Sequence, residues 1–228
     1  MINLTVRIVT ILLFCLTTLC FPVAVYLVDD FEDSNITKNP EWWKFGILKS
    51  QILDNNKKEF AYLEDKSLWL TGDPSEWYVG GMGTYLGLDG TPYNAIKLIV
   101  RGKGVESGFL RIELYDDDNQ NWVADIHPED QSIVEFDDKF VYSQKVDWSG
   151  WRVLIIPFDD FVDDNPQMGD NLFNPSQLGT SGGLLQIQFI VLATNKEVAP
   201  DIRIDNIKLF HYVKPKPVEK PQASFDDW

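Results

Sequence analysis

Apolar and polar residues alternate in several short segments of the chain, and this period of two is typical of a β-strand that buries one face. The clearest cases are Phe109–Tyr115 and Leu184–Ala193, where large apolar residues occupy every second position. The polar positions opposite these apolar residues include Arg111, Glu113, Gln186 and Gln188. We therefore expect these four side chains to line one concave sheet.

Turn-forming residues divide the chain into about a dozen such segments, with turns at intervals of about 8–12 residues. No helical period longer than two turns follows the apolar N-terminal stretch. This pattern predicts an all-β fold, either a sandwich or a barrel. The predicted strands are Tyr26–Glu32, Ile47–Leu53, Glu59–Leu63, Ser67–Thr71, Trp77–Leu88, Ala95–Arg101, Phe109–Tyr115, Trp122–Ile126, Ile133–Lys145, Val153–Ile156, Leu184–Ala193 and Ile202–Tyr212.

The stretch Asp147–Phe161 has a different pattern, because its residues from Val153 to Ile156 are apolar without interruption. Such a run, bounded by turn formers, predicts a strand with both faces covered. Pro157 has no backbone N–H to donate to a neighbouring strand, so the strand is expected to end there. We therefore predict a central strand of the sandwich, with Trp151 in the core.

Residues 1–25 are predicted to be a targeting segment that forms an apolar helix. Arg7 is the only charged residue before Asp29, and the run from Ile8 to Val28 is almost entirely apolar. A basic start followed by an apolar stretch is typical of a secretory signal peptide. The run also approaches the ~20 residues that span a bilayer, so an uncleaved membrane anchor is the alternative.

Residues 26–213 carry the strand pattern and are the predicted sandwich domain, and residues 214–228 are a predicted tail. The tail starts with a tract rich in proline and lysine, which favours an extended chain that cannot pack. We therefore predict disorder there. The alternative is that its end, Phe225–Trp228, is a docking peptide for a protein partner.

The net charge of −15 at pH 7 argues against nucleic acid as a partner, because an acidic surface repels a phosphate backbone. The same carboxylates suit Ca²⁺, a hard cation that prefers oxygen ligands, although most of them are expected to be solvated surface charge. Both cysteines, Cys15 and Cys20, lie in the targeting segment. The sandwich domain therefore has no disulfide and no thiolate metal site.

We predict no enzymatic activity. A glycosidase needs two carboxylates on either side of one bond, one of them with a raised pKa. The acidic residues of this chain cluster in segments such as Asp116–Asp118 and Asp159–Asp160, which we expect to be solvated loops. With only His127 and His211 available, no convincing Ser-His-Asp arrangement is present.

Four segments resemble carbohydrate-binding modules of the galactose-binding-domain-like jelly-roll group. They are Asp29–Glu32, Tyr93–Leu98, Trp151–Phe161 and Ile204–Leu209, which together cover most of the chain from about Asp29 to Tyr212. The resemblance rests on the order and spacing of these segments. It implies a jelly roll of two antiparallel sheets that is non-catalytic and often exported.

The resemblance also implies a structural Ca²⁺ ion that joins the first strand to the last. By motif position, its carboxylate ligands would be Asp30 or Glu32 from the first strand and Asp205 from the last. Carboxylates at strand ends, together with backbone carbonyls, can complete the shell of six to eight oxygens that Ca²⁺ prefers. The alternative is that Asp205 caps a turn and that Glu32 faces water.

Sugar binding requires exposed aromatic rings that stack on the apolar faces of pyranose rings, with polar neighbours that bind hydroxyl groups. Burial in the core is the alternative for each aromatic residue. The predicted ligand-binding residues are Trp77, Tyr78, Tyr85, Arg111, Glu113, Trp122, Tyr142, Gln186 and Gln188.

The leading hypothesis is an exported, non-catalytic β-sandwich protein, secreted or in the cell envelope, whose partner is a polysaccharide or other glycan. The alternative is a structural or assembly protein of the cell envelope or surface that uses the same fold without binding sugar. A glycosidase or polysaccharide lyase ranks third. A membrane contact is expected only through residues 1–25, if this segment is not cleaved.

Overall fold

The computed structural model describes residues 24–54, 65–75, 77–129, 134–179 and 181–215. These ranges contain twelve β-strands and one short 3-10 helix, Phe158–Asp160. The strands are β1 (Val25–Asp29), β2 (Trp42–Gly46), β3 (Lys49–Asp54), β4 (Lys66–Thr71), β5 (Tyr78–Leu88), β6 (Ala95–Lys103), β7 (Phe109–Asp117), β8 (Asp138–Lys145), β9 (Ser149–Pro157), β10 (Val162–Asp163), β11 (Gly183–Leu192) and β12 (Ile202–Phe210).

The strands form two six-stranded antiparallel sheets. The first sheet has the order β3-β4-β12-β6-β9, and β1 also pairs with β12. β4 pairs with the first half of β12 and β1 with its second half, so these two strands share one edge of β12. The second sheet has the order β10-β8-β7-β11-β5-β2. The predicted all-β sandwich of two antiparallel sheets is thereby confirmed.

The core lies between the two sheets and is filled by the alternating apolar residues of their strands. Leu110, Ile112 and Leu114 of β7 have no exposed surface, and the same holds for Ile187 and Phe189 of β11. The alternation seen in the sequence is therefore correct for both strands. It also fixes which side chains of β7 and β11 lie on the outer face of the second sheet.

The prediction of a central, fully covered strand around Val153 is wrong. β9 is an edge strand of the first sheet and pairs only with β6 among the described strands. Val153 is 48% exposed and Ile155 is 43% exposed, while Trp151 is half-buried. A continuous apolar run has no period of two, so it cannot distinguish an edge strand from a central one.

The tryptophan that does enter the core near β9 is Trp148, which is only 5% exposed. Its indole N–H lies 3.4 Å from the carbonyl oxygen of Val100, and the Arg152 guanidinium lies 4.8 Å from the centre of its ring. The buried indole of Trp148, in the turn before β9, therefore ties this edge strand to the core, whereas the exposed side chains of Val153 and Ile155 do not.

Two other predicted strands differ from the structure. Trp122–Ile126 is a loop whose only β-bridge joins Ile126 to Val134, and Trp122 has a φ of 65°. In the segment predicted as Ile133–Lys145, the strand begins at Asp138. The predicted strand Glu59–Leu63 lies outside the described residues.

Among the described residues, no helix has the length and apolar character needed to cross a membrane. Residues 1–23 of the predicted targeting segment and most of the predicted tail are not among them. The boundaries proposed for these two segments therefore stay predictions.

Candidate functional site

The outer face of the second sheet carries most of the predicted ligand-binding residues. Its strands are in register, so that outward-facing side chains form rows that run across the sheet. One row consists of Trp43, Gly83, Gln188 and Glu113. The next row towards one end consists of Phe45, Gly81, Ile190 and Arg111, and the next towards the other end contains Tyr85, Gln186, Tyr115 and Lys139.

Two glycines of β5 make room for the aromatic side chains of β2. A Cβ atom on Gly83 would lie 2.6 Å from Cζ2 of Trp43, and one on Gly81 would lie 2.6 Å from Cζ of Phe45. The rings of Trp43 and Phe45 thus occupy the space above β5 that side chains of this strand would fill. This packing explains why β5 has glycine at positions 81 and 83.

Trp77 and Tyr78 extend this aromatic surface at the start of β5. Their ring centres lie 6.3 Å apart in an edge-to-face arrangement, and their exposed fractions are 59% and 40%. Two large, exposed and adjacent aromatic residues of a small protein are unusual in a surface that contacts only water.

The aromatic surface borders an open groove of about 550 Å³. The groove is lined by side chains of β2, β5, β7, β8 and β11 and by the loop before β8. The lining residues are Trp43, Phe45, Trp77, Tyr78, Arg111, Glu113, Tyr115, Ile126, Val134, Lys139, Gln188, Ile190 and Leu192. One side is therefore aromatic, and the other carries charged and amide groups.

The charged groups of the groove are held in fixed positions by one another. Arg111 Nε donates to Glu113 Oε1 at 2.7 Å, and the Tyr115 hydroxyl donates to Glu113 Oε2 at 2.8 Å. A second nitrogen of Arg111 binds Asp164, which also pairs with Lys139 Nζ at 2.9 Å. Because each group has a partner, the network is preorganised and presents its remaining donors and acceptors to the groove.

Electrostatics keep these groups in defined protonation states. Burial and the Glu113 carboxylate raise the pKa of Tyr115 far above its usual value, so its phenol stays protonated and donates to Glu113. Burial also raises the pKa of Tyr78, and Glu113 adds to this rise. Burial lowers the pKa of Arg111, but its contacts with Glu113 and Asp164 outweigh this effect and leave a net rise.

Five of the nine predicted ligand-binding residues line this one groove: Trp77, Tyr78, Arg111, Glu113 and Gln188. Tyr85 and Gln186 lie in the adjoining row of the same face, and Tyr85 is 49% exposed. Trp122 lies in the loop after β7 and is 43% exposed.

Tyr142 is on the other side of the second sheet. It is the register partner of Ile112, packs against the core and contacts the ring of Phe161 at a centroid distance of 5.8 Å. It therefore faces away from the groove.

Trp43, Phe45 and Tyr115 also line the groove, and they are not among the ligand-binding residues predicted from the sequence. The pair Trp42–Trp43 held a usable signal, because consecutive residues of a strand point to opposite faces. Trp42 is 4% exposed and donates its indole N–H to Asp29 Oδ2 at 2.7 Å, whereas Trp43 is 36% exposed on the outer face.

A second candidate site lies where β7 ends and β8 begins, on the core side of the second sheet. The residues Asp116, Asp118 and Asp138 place one carboxylate oxygen each within 4.8 Å of the other two. Asp116 and Asp138 are register partners, and neither has any exposed surface. The expectation that Asp116–Asp118 is a solvated loop tip is therefore wrong, because the chain between β10 and β11 covers these residues.

The covering segment binds the three carboxylates through its backbone. Alternate residues donate an N–H group: Asp170 to Asp118 Oδ2 at 3.3 Å, Leu172 to Asp138 Oδ2 at 3.0 Å and Asn174 to Asp116 Oδ2 at 2.8 Å. Each carboxylate keeps its other oxygen, Oδ1, buried and without a hydrogen-bond donor. Such buried acceptors without a partner are costly.

Burial raises the pKa of all three carboxyl groups, and repulsion by neighbouring carboxylates adds to the rise, with Asp118 acting on Asp116 and Asp138, and Asp170 acting on Asp118. The values are about 8 for Asp116, about 7 for Asp138 and about 6 for Asp118, and the backbone N–H donors only partly offset the effect. A carboxylate cluster of this kind could hold a metal ion.

The carboxylates predicted to bind calcium lie elsewhere. Asp205 is on β12 and fully buried, and Glu32 follows β1 and accepts a hydrogen bond from the Lys66 backbone N–H at 2.7 Å. Asp30 Oδ1 lies 3.2 Å from the backbone nitrogen of Glu32. This ligand set stays a prediction.

Comparison with known proteins identifies the fold. No protein-family model matches the sequence, and no curated protein sequence matches it. The structure is similar to a family 11 carbohydrate-binding module from Clostridium thermocellum in complex with a β-1,3-1,4-mixed-linked tetrasaccharide. The TM-score is 0.52 at 18% sequence identity, and the match covers 84% of this chain and 98% of the module.

Two further structures give similar values. The family 11 module of a cellulosomal cellulase of the same organism matches with a TM-score of 0.52 and 17% identity, over 85% of this chain and 98% of the module. An exo-β-agarase matches with a TM-score of 0.53 and 13% identity, over 84% of this chain but 26% of that protein. Identities this low show a shared fold.

Proposed function

We propose that this protein binds a glycan chain in the groove on the outer face of the second sheet. The observation that carries the proposal is the arrangement of this groove, with exposed aromatic rings on one side and a preorganised polar network on the other. The alternation of polar and apolar residues predicts one face for Arg111, Glu113 and Gln188, and these side chains line the groove together with Trp77 and Tyr78.

The chemistry of the groove fits a sugar. The faces of Trp43, Trp77 and Tyr78 can stack on the C–H-rich faces of pyranose rings. Arg111 and Gln188 offer N–H donors and carbonyl acceptors to hydroxyl groups beside these rings. Because the groove is open and not enclosed, it suits a segment of a polymer more than a small isolated metabolite.

The proposed activity is binding without catalysis. Among the described residues that line the groove, Glu113 is the one carboxylate, and its two oxygens accept from Arg111 and Tyr115. Hydrolysis of a glycosidic bond uses two carboxyl groups in distinct protonation states. Glu113 in this ion pair is suited to orient Arg111 rather than to transfer a proton.

The similarity to the Clostridium thermocellum module supports this proposal through its fold and its bound tetrasaccharide, which belong to that protein. Three features expected from the sequence complete the proposal. They are a jelly-roll topology of the sandwich, export to the cell surface or envelope directed by residues 1–25, and a structural Ca²⁺ ion at Asp30, Glu32 and Asp205.

Affinity electrophoresis of the full chain in gels that contain single polysaccharides tests the proposal. The panel consists of mixed-linkage β-1,3-1,4-glucan, agarose, xylan and a gel without polysaccharide. We expect retardation by at least one polysaccharide, and loss of this retardation in a Trp43→Ala/Trp77→Ala double variant. No retardation by any of them, together with self-assembly of the pure protein, would favour the structural or assembly role instead.

A further inference from the structure

We propose that Asp116, Asp118 and Asp138, with the side-chain oxygen of Asn174 as a fourth ligand, bind a Ca²⁺ ion at the ends of β7 and β8. This ion is separate from the glycan groove and from the ligand set of Asp30, Glu32 and Asp205. The inference does not depend on the proposed sugar binding.

The cluster offers several oxygen atoms that could bind a cation. The three carboxylates each hold one oxygen that is buried and accepts no hydrogen bond, and Asn174 Oδ1 is in the same condition. Asn174 is fixed beside them by two hydrogen bonds, from its backbone N–H to Asp116 and from its amide nitrogen to Asp170 Oδ2 at 3.0 Å. The three carboxylates lie together, and the hydrogen bond from Asn174 to Asp116 keeps Asn174 next to them.

The separation of the carboxylate oxygens matches the size of a calcium coordination shell. Ca²⁺ binds oxygen at about 2.3–2.6 Å, so two ligands on opposite sides of one ion lie about 5 Å apart. One carboxylate oxygen each of Asp116, Asp118 and Asp138 lies within 4.8 Å of the other two, which one ion can bridge. Water or backbone carbonyls would supply the rest of the shell.

The carboxylates of the cluster repel one another and form none of the ion pairs found among the described residues. Asp116 and Asp138 face each other directly across two strands, where like charges destabilise a sheet. Both have no exposed surface, so water does not screen their repulsion. Among the ion pairs of the described residues, Lys139 next to Asp138 is engaged by Asp164, and none involves the three carboxylates. A divalent cation supplies the missing positive charge.

The segment 169–174, which covers the carboxylates, is held close enough to them to enclose an ion. Phe173 packs its ring on Phe140 and Phe158 at centroid distances of 5.0 and 5.1 Å, which holds this segment against the core. Gly169 has a φ of 57°, and a Cβ atom there would lie 2.3 Å from oxygens of Asp118 and Asp138. The backbone therefore comes as close to the carboxylates as a side chain would.

The ligand chemistry selects Ca²⁺ over other cations. All four donors are oxygen atoms, which favours hard cations. Mg²⁺ demands near-ideal octahedral geometry and keeps several of its waters, whereas Ca²⁺ accepts irregular shells. Three carboxylates on two strands and a loop, two of them fully buried, leave little room for a hydrated Mg²⁺ ion.

Calorimetric titration of the chelator-treated full chain with CaCl2 tests this inference, with MgCl2 as the comparison. We expect binding of Ca²⁺ that is tighter than that of Mg²⁺, and a rise in Tm of about 5 °C or more when Ca²⁺ exceeds its dissociation constant about a hundredfold. Amide exchange at Asp170, Leu172 and Asn174 should slow when Ca²⁺ is added.

Two variants locate the ion. Asp138→Asn and the less buried Asp118→Asn should each weaken Ca²⁺ binding at least about tenfold. Without Ca²⁺ they should be as stable as the unaltered protein or more stable, because each removes one repelling charge. The control Glu32→Gln alters the other proposed calcium site and should keep this binding event.

Three outcomes would overturn the inference. They are no Ca²⁺ binding by the unaltered protein at millimolar concentration, tighter binding of Mg²⁺ than of Ca²⁺, and unchanged Ca²⁺ binding by both Asp118→Asn and Asp138→Asn. The titration contains no sugar, so its result is independent of the test for glycan binding.

Discussion

The indole ring of Trp43 on β2 occupies the space directly above Gly83 on the neighbouring strand β5. A Cβ atom on Gly83 would lie 2.6 Å from Trp43 Cζ2 and 2.8 Å from Gln188 Cγ, so only glycine fits beneath both side chains. The absence of a side chain at position 83 thus lets an aromatic ring reach across β5 towards the polar residues of β11. This packing builds the aromatic side of the groove.

Gly83→Ala should weaken glycan binding and lower the free energy of unfolding by about 1–3 kcal/mol, because the methyl group displaces Trp43 and overpacks the face. Isothermal titration with the polysaccharide that retards the protein, together with urea unfolding, measures both effects. Gly150→Ala is the control: it strains a φ of 85° at the edge of the first sheet with no neighbour within 4 Å. It should lose stability but keep its affinity, and equal affinity of both variants would contradict a role of Trp43.

Trp77→Ala should reduce the affinity for the glycan at least about tenfold, since large aromatic residues of a binding face often carry much of the binding energy. Trp77 is 59% exposed, so the change should alter stability little. Trp151→Ala is a matched control, because Trp151 lies on β9 in the opposite sheet. If Trp77→Ala and Trp151→Ala bind equally well, the groove is not the binding site.

Arg111→Met should lower the free energy of unfolding by about 1–3 kcal/mol, because it leaves the Glu113 carboxylate, 7% exposed, without its cation. The double variant Arg111→Met/Glu113→Gln should be less destabilised than the sum of the two single variants. Urea unfolding of the four proteins gives the coupling energy of this pair. Simple additivity would show that the contact at 2.7 Å contributes no net coupling.

The parts of the site that the sequence predicted correctly are those set by local periodicity. Arg111 and Glu113 alternate with fully buried leucine and isoleucine, so the face on which they lie follows from the strand period alone. Tyr142 shows the limit of this reasoning. Phe136, Phe140 and Tyr142 share the even positions of the segment Ile133–Lys145, but this spacing does not say which face of the sheet they occupy. That face depends on where β8 begins and how it pairs with β7.

The acidic cluster could not be recognised from the sequence, because its burial is a long-range property. The run Asp116–Asp118 has the composition of an exposed turn. The carboxylates of Asp116 and Asp118 are covered by residues 169–174, and Asn174 donates its N–H to Asp116 across 58 positions of sequence. Nothing near Asp116 in the chain indicates that this contact forms.

The run from Val153 to Ile156 is covered on both faces according to the sequence prediction, but exposes one face in the structure. Charged substitutions distinguish these two interpretations. A strand with both faces covered would tolerate a charged residue on neither face, whereas a strand with one solvated face tolerates it on that face. Ile155 is 43% exposed and Ile156, the next residue, is 2% exposed. Both residues are isoleucines of β9, so they form a matched pair that differs only in the face to which the side chain points.

Ile155→Lys should change the free energy of unfolding by no more than about 0.5 kcal/mol, since the ammonium group remains in water. Ile156→Lys should cost more than about 4 kcal/mol or prevent folding, because it places a charge in the core and removes a buried aliphatic side chain. Thermal unfolding followed by circular dichroism distinguishes the two. Comparable losses in both variants would mean that both faces of β9 are covered, by a second molecule or by another part of the chain.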